Sequence, residues 1–195
     1  QKTAYEIGVR LVGSEMCIRD SVYVVRRNDM SALQAGSQAP DFSLSDRNGK
    51  VRSLYEALEG ELVLLTFFKI TCPTCQYALP FFDRLNKAIE GSGVKFWAIS
   101  QNSHQETVTF NDKFEVDLPQ LFDPEEKGFP VSNAYGITHV PSSFLVGQDG
   151  VIAVSSVSWD KSDFKLISKK IAVAASIPDP VVFSPGEDIL DYRAG

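Results

Sequence analysis

The chain has 195 residues, 44% of them hydrophobic, and a formal net charge of −6, enough for one domain with its own apolar core plus terminal extensions. The acidic balance, without any cluster of Lys and Arg, excludes a nucleic-acid or anionic-membrane surface, because phosphate binding needs concentrated positive charge. No run of about 18 or more apolar residues occurs, so no segment is built to cross a bilayer as a helix.

Residues 1–34 read as an N-terminal arm. Its first 21 residues, QKTAYEIGVRLVGSEMCIRDS, look like translated sequencing-adaptor sequence rather than natural protein, and Cys17 within them is given no role. The arm lacks the basic start, apolar stretch and small-residue cleavage site of a signal peptide. That favours the cytoplasm, with an extracytoplasmic (periplasmic) location left open should the natural N-terminus be missing.

Residues 35–176 read as the folded domain. Two short extended runs joined at Asp46-Arg47-Asn48-Gly49 predict a hairpin. Residues 54–58 suit one or two helical turns, and 61–68 form an apolar, β-rich run of buried-strand length. Tyr77, Leu79, Phe81, Phe82, Leu85 and Ile89 recur at helical spacing over 73–89, where Pro80 should introduce a kink. A strand is expected over 94–100, an amphipathic helix over 103–114 capped by Ser103 or Asn102, and a brief strand over 120–122. A short helix over 131–135 should stop at Gly136. Runs at 143–146 and 151–157, separated by Gly147-Gln148-Asp149-Gly150, predict an antiparallel hairpin, and a last helix covers 161–175. Strands alternating with helices imply parallel crossovers, and the late hairpin adds antiparallel strands, which together give a mixed sheet with helices on both faces. Residues 177–195 read as an acidic tail with no assigned chemistry.

The chemistry-bearing feature is Cys72-Pro73-Thr74-Cys75, between a buried strand and a helix. A strand ending where a helix begins exposes free backbone N–H groups and the positive end of the helix dipole, which stabilise a thiolate. Cys72 falls in the N-cap region and Pro73 at the first helical position, so Cys72 is the expected exposed nucleophile. Cys75, one turn in, is the expected buried thiol that resolves the mixed disulfide. Inert packing is the plain alternative for both. Structural zinc needs about four ligands, whereas the pair gives two and Cys17, His104 and His139 are scattered. No metal and no cofactor are expected. Lys69 is read as an ordinary exposed lysine.

The ordered set APDFSLSDRNGK, LVLLTFFKITCPTC with Pro80 five residues after Cys75, and FDPEEKGFPVSNAYGITHVPSSFLVGQDGVI resembles the redoxin branch of the thioredoxin superfamily, especially TlpA-like thiol-disulfide oxidoreductases, over residues 35–172. The resemblance implies a three-layer α/β/α fold with a mixed central sheet and an N-terminal β-hairpin. It implies disulfide exchange with protein thiols or disulfides, served by an unspecified redox donor. It also implies a cis Val140–Pro141 peptide lying against the cysteines, with Val140, Pro141, Pro73 and Thr74 meeting the substrate. Without the resemblance, a trans proline is the ordinary expectation. Three residues depart from the family pattern. Thr66 stands where thioredoxins carry a buried Asp, Thr71 replaces the usual Trp, and His139 lies two residues before Pro141, where it is read as a surface imidazole.

Two other readings stay open. A peroxiredoxin shares this fold and opening; Cys75 would then hold the peroxidatic position, but the arginine expected ahead of the late strand is missing, leaving only Arg84 and Arg193 after Cys75. A non-catalytic redoxin module could bind a partner or a soft metal such as Cu(I) through the two thiols.

Overall fold

The structure, a computed structural model, describes residues 31–195; the adaptor-like start of the arm and Cys17 lie outside the described residues. Regular structure begins with a hairpin in which β1 (Ser43–Asp46) pairs antiparallel with β2 (Val51–Ser53). Its turn is organised by one side chain: Asp46 Oδ1 accepts from the N–H groups of Asn48 (2.9 Å) and Lys50 (3.0 Å), while Gly49 takes a φ of 77°, open to glycine at little cost. A single helical turn, α1 (Leu54–Ala57), follows directly.

The chain then runs β3 (Leu62–Phe68), α2 (Pro73–Ala88), β4 (Val94–Ser100), α3 (His104–Phe114) and β5 (Gln120–Phe122). Ser103 caps α3 in a reciprocal capping box with Glu106. After a 3-10 turn at Glu125–Lys127 comes α4 (Pro130–Ala134), whose first amides donate to the buried Asp123 carboxylate, Val131 at 3.2 Å and Ser132 at 2.7 Å. The late hairpin is β6 (Ser142–Val146) with β7 (Ile152–Val157); Val151 bridges Gln38 instead, so β7 begins one residue later than the sequence suggests. A two-residue strand, β8 (Trp159–Asp160), leads into α5 (Lys161–Ala175), and far along the chain β9 (Tyr192–Arg193) returns to pair with β8.

The seven-stranded sheet has the order β2-β1-β5-β4-β3-β6-β7, with β3–β4 and β4–β5 parallel and the other pairs antiparallel. Its interior strand β3 is buried from Val63 to Phe68, and its side chains alternate between two apolar layers. Leu64 and Phe68 face α2, α3 and α5, joined by Phe82, Phe110 and Ile167; Val63, Leu65 and Phe67 face α1 and α4, joined by Leu54, Val131 and Tyr135. This is the three-layer, mixed-sheet thioredoxin-like architecture. Full burial of each such side chain contributes roughly 1.5–3 kcal/mol.

Pro80 lies inside α2, withholding the N–H that would reach the Gln76 carbonyl, and the helix continues to Ala88. Residues 177–195, set apart by composition, are packed on the α2–α5 layer: Val182 and Ile189 are buried there, and Phe183 meets Phe81, Trp159 and Phe164. Among the described residues no helix is long and apolar enough to cross a membrane.

Candidate active site

The link between β3 and α2 is tied at both sides. Ile70 N–H donates to Asn102 Oδ1 (3.0 Å), Gln76 Nε2 donates to the Ile70 carbonyl (2.9 Å), and Cys72 N–H reaches the Lys69 carbonyl (3.1 Å). Cys72 is thereby held as the N-cap of α2 in extended backbone (φ −78°, ψ 117°), with Pro73 in the first turn. Its Sγ accepts the Cys75 N–H at 3.3 Å, the place a Ser or Asp oxygen takes in an ordinary N-cap. Cys72 is partly exposed and Cys75 wholly buried, both as free thiols.

The Val140–Pro141 peptide is cis. It brings the Val140 carbonyl to 3.1 Å from Cys72 Sγ, which donates its proton there. The turn is braced by Ser142 Oγ donating to the His139 carbonyl (2.7 Å) and by Ser158 N–H donating to the Pro141 carbonyl (2.7 Å). Cys72, Cys75, Val140 and Pro141, separated by some 65 positions in sequence, thus meet at one end of the sheet.

The two sulfurs have opposite electrostatic surroundings. The Cys75 thiol hydrogen-bonded to it, followed by the N–H groups of Cys75 and Thr74 and the charge of Arg193, lowers the Cys72 pKa to about 6 against the opposing effect of burial. Cys75 is pushed far above the usual thiol range, first by burial and then by its bond to Cys72. These shifts reinforce one another: a thiol that keeps its proton is a permanent donor to its neighbour. The Cys72 S–H to Val140 bond belongs to the protonated form. On ionisation that donor is lost, while the four groups that favour the anion remain.

The other residues singled out from sequence fall as follows. Thr66 is buried with its hydroxyl 3.1 Å from Ser143 Oγ, so no carboxylate occupies that position in β3. Lys69 and Thr71 are exposed. His139 is exposed, its Nδ1 3.0 Å from Thr138 Oγ1, and His104 packs on Phe122, on β5. Arg84 is engaged with Glu187 (2.8 Å) and the Val182 carbonyl. Thr74 is buried, and its hydroxyl donates to the Ala194 carbonyl at 2.5 Å. Arg193, given no positive role from sequence, stacks its guanidinium 5.6 Å from the Tyr77 ring centroid and bears electrostatically on Cys72. Nothing in the local sequence points to it; only the β8–β9 pairing brings it here. Among the described residues no group of three or more His, Cys, Asp or Glu is arranged to hold a metal ion.

Residues 35–155 match the model of the AhpC/TSA family. The chain is 35% identical over 125 residues to the thiol-disulfide oxidoreductase ResA of Halalkalibacterium halodurans, covering 64% of this chain and 69% of that protein. Among solved structures it is similar to the thioredoxin domain of a thiol-disulfide oxidoreductase from Bacteroides vulgatus (TM-score 0.63, 21% identity, 71% of this chain and 98% of that one). It is also similar to the peroxidoxin BcpB from Mycobacterium tuberculosis (TM-score 0.58, 21% identity, 74% and 97%), so the fold by itself does not separate disulfide exchange from peroxide reduction. With most of its length matched, the chain belongs to the AhpC/TSA family, as a TlpA-like redoxin of the thioredoxin superfamily.

Proposed function

We propose that this thiol-disulfide oxidoreductase exchanges disulfides with protein substrates, Cys72 acting as nucleophile and Cys75 as resolving thiol. The observation that carries the reading is the pairing of a low-pKa, partly exposed sulfur at the start of α2 with a buried, high-pKa sulfur one turn along. In the reducing direction, the Cys72 thiolate attacks one sulfur of a substrate disulfide, forming a mixed disulfide and expelling a substrate thiolate that takes a proton from water. Cys75 then gives up its proton to solvent and attacks Cys72 Sγ. The second substrate thiol leaves, and two electrons have passed to the substrate. A dithiol donor restores the pair. The opposite direction oxidises a substrate dithiol by the same steps reversed.

The backbone of Val140, with Pro141, Pro73 and Thr74 around it, would receive an extended stretch of the substrate beside the sulfurs. Peroxide reduction at Cys75 is disfavoured by that thiol's burial and raised pKa, because the thiolate is the reacting form. The test is insulin reduction with dithiothreitol as donor. Cys72→Ser should abolish turnover and Cys75→Ser should accumulate a mixed disulfide. Full activity in Cys72→Ser, or hydrogen peroxide consumption by the wild type far faster than by a free thiol, would refute the assignment.

A further inference from the structure

The segment from Ile189 to Gly195 does not leave the molecule but is laid across the mouth of the site. Leu190 N–H donates to the Tyr77 hydroxyl (2.9 Å), Trp159 Nε1 donates to the Leu190 carbonyl (2.8 Å), and Lys161 N–H donates to the Asp191 carbonyl (2.9 Å). Tyr192 and Arg193 then pair with β8, Thr74 Oγ1 holds the Ala194 carbonyl, and Gly195 N–H donates to Ser158 Oγ (3.0 Å). Two of these anchors belong to the site itself: Thr74 lies between the cysteines, and Ser158 N–H holds the Pro141 carbonyl.

Gly195 ends up against the Val140 backbone. A methyl group built on it would overlap the Val140 carbonyl oxygen and fall 2.7 Å from the carbonyl carbon and 3.3 Å from the nitrogen. Among the described residues the Val140 N–H donates no hydrogen bond, and its carbonyl is taken only by Cys72. The place where an incoming peptide would pair with Val140 is therefore already filled by backbone of the same chain, at a point where only glycine fits.

We propose that residues 192–195 determine substrate specificity by occupying, in cis, the groove that an extended protein substrate would enter. A protein disulfide must displace this strap. A small disulfide needs only the sulfur of Cys72, which is partly exposed with the strap in place. The inference rests on the thiol–disulfide reading above. Beyond β9, Ala194 and Gly195 are held by two hydrogen bonds on an exposed stretch, enough to keep roughly nine molecules in ten closed there, so releasing them should raise apparent protein affinity about tenfold.

The test compares the full chain with its Gly195→Ala variant in three measurements: insulin reduction, reaction with 5,5′-dithiobis(2-nitrobenzoate), and amide hydrogen exchange over residues 192–195. The inference expects faster exchange in the variant, an approximately tenfold higher kcat/KM for insulin, and a nitrobenzoate rate within about twofold of wild type. An unchanged insulin rate with accelerated amide exchange would overturn the specificity role, and unaltered amide exchange would overturn the placement of Gly195 against Val140. Failure of both proteins to react with either disulfide would instead refute the thiol–disulfide reading on which the inference rests.

Discussion

Replacing Cys75 by alanine isolates the largest influence on Cys72, the thiol hydrogen bond it receives. A hydrogen bond to a charged acceptor contributes ~1.5–3 kcal/mol, and the partial exposure of Cys72 places this one at the lower end. At 1.36 kcal/mol per pH unit, its loss should raise the Cys72 midpoint from about 6 to about 7, the N–H groups of Thr74 and residue 75 and the Arg193 charge still acting. Cys75→Ser keeps a hydroxyl donor and should fall between the two. Thiolate absorbance at 240 nm, with the pH dependence of iodoacetamide alkylation as a second readout, measures both midpoints in the reduced protein. An alanine variant titrating within about 0.3 unit of wild type would mean that the helix terminus and Arg193 set the pKa without the neighbouring thiol, and the coupling between the sulfurs would fall.

The same depressed pKa makes stability depend on pH. The reduced native state releases the Cys72 proton near 6 whereas the unfolded thiol does so near 9.0, so the contribution is complete above 9.0, declines below it and is lost as pH falls through about 6. The full shift corresponds to ~4 kcal/mol, which solvent screening of a partly exposed group reduces to ~2 kcal/mol. Urea denaturation of reduced wild type against Cys72→Ala should show that gap opening between pH 6 and 9, and parallel pH profiles would contradict it. Asp123→Ala leaves the Val131 and Ser132 amides buried without their acceptor, and should cost about 2–4 kcal/mol in urea while leaving the Cys72 midpoint unmoved.

Much of the layering is readable along the chain because each local choice agrees with the global one. Asp46 and Gly49 announce the hairpin turn, the apolar run at 62–68, interrupted only by Thr66, announces a strand buried on both faces, and Ser103 with Glu106 announces the start of α3. The placement of Cys72 at a helix start follows equally from the strand before it and Pro73 after it. What escaped were contacts with no local signal. β8 and β9 are two residues each and pair across more than thirty positions, too short for alternation to register. Val182, Phe183 and Ile189 sit among Pro, Gly and acidic residues without a helical or strand period, so their docking on α2 and α5 depends on an apolar surface built by other elements. Arg193 and the Thr74–Ala194 bond are visible only once that docking is known. The cis peptide at Pro141 came from family resemblance, since backbone physics alone prefers trans.

Val140 has a part in the molecule beyond its backbone contacts. Its side chain packs against both apolar layers, the one under α2 and α5 and the one under α1 and α4, while its carbonyl meets the Cys72 sulfur. It works as a wedge driven in where two otherwise separate interiors converge. Sequence drift should accordingly be tolerated unevenly: positions at the far end of the sheet can be exchanged for others of like size, whereas a change in girth beside the wedge, on either face, would tilt the carbonyl and retune the sulfur from a distance.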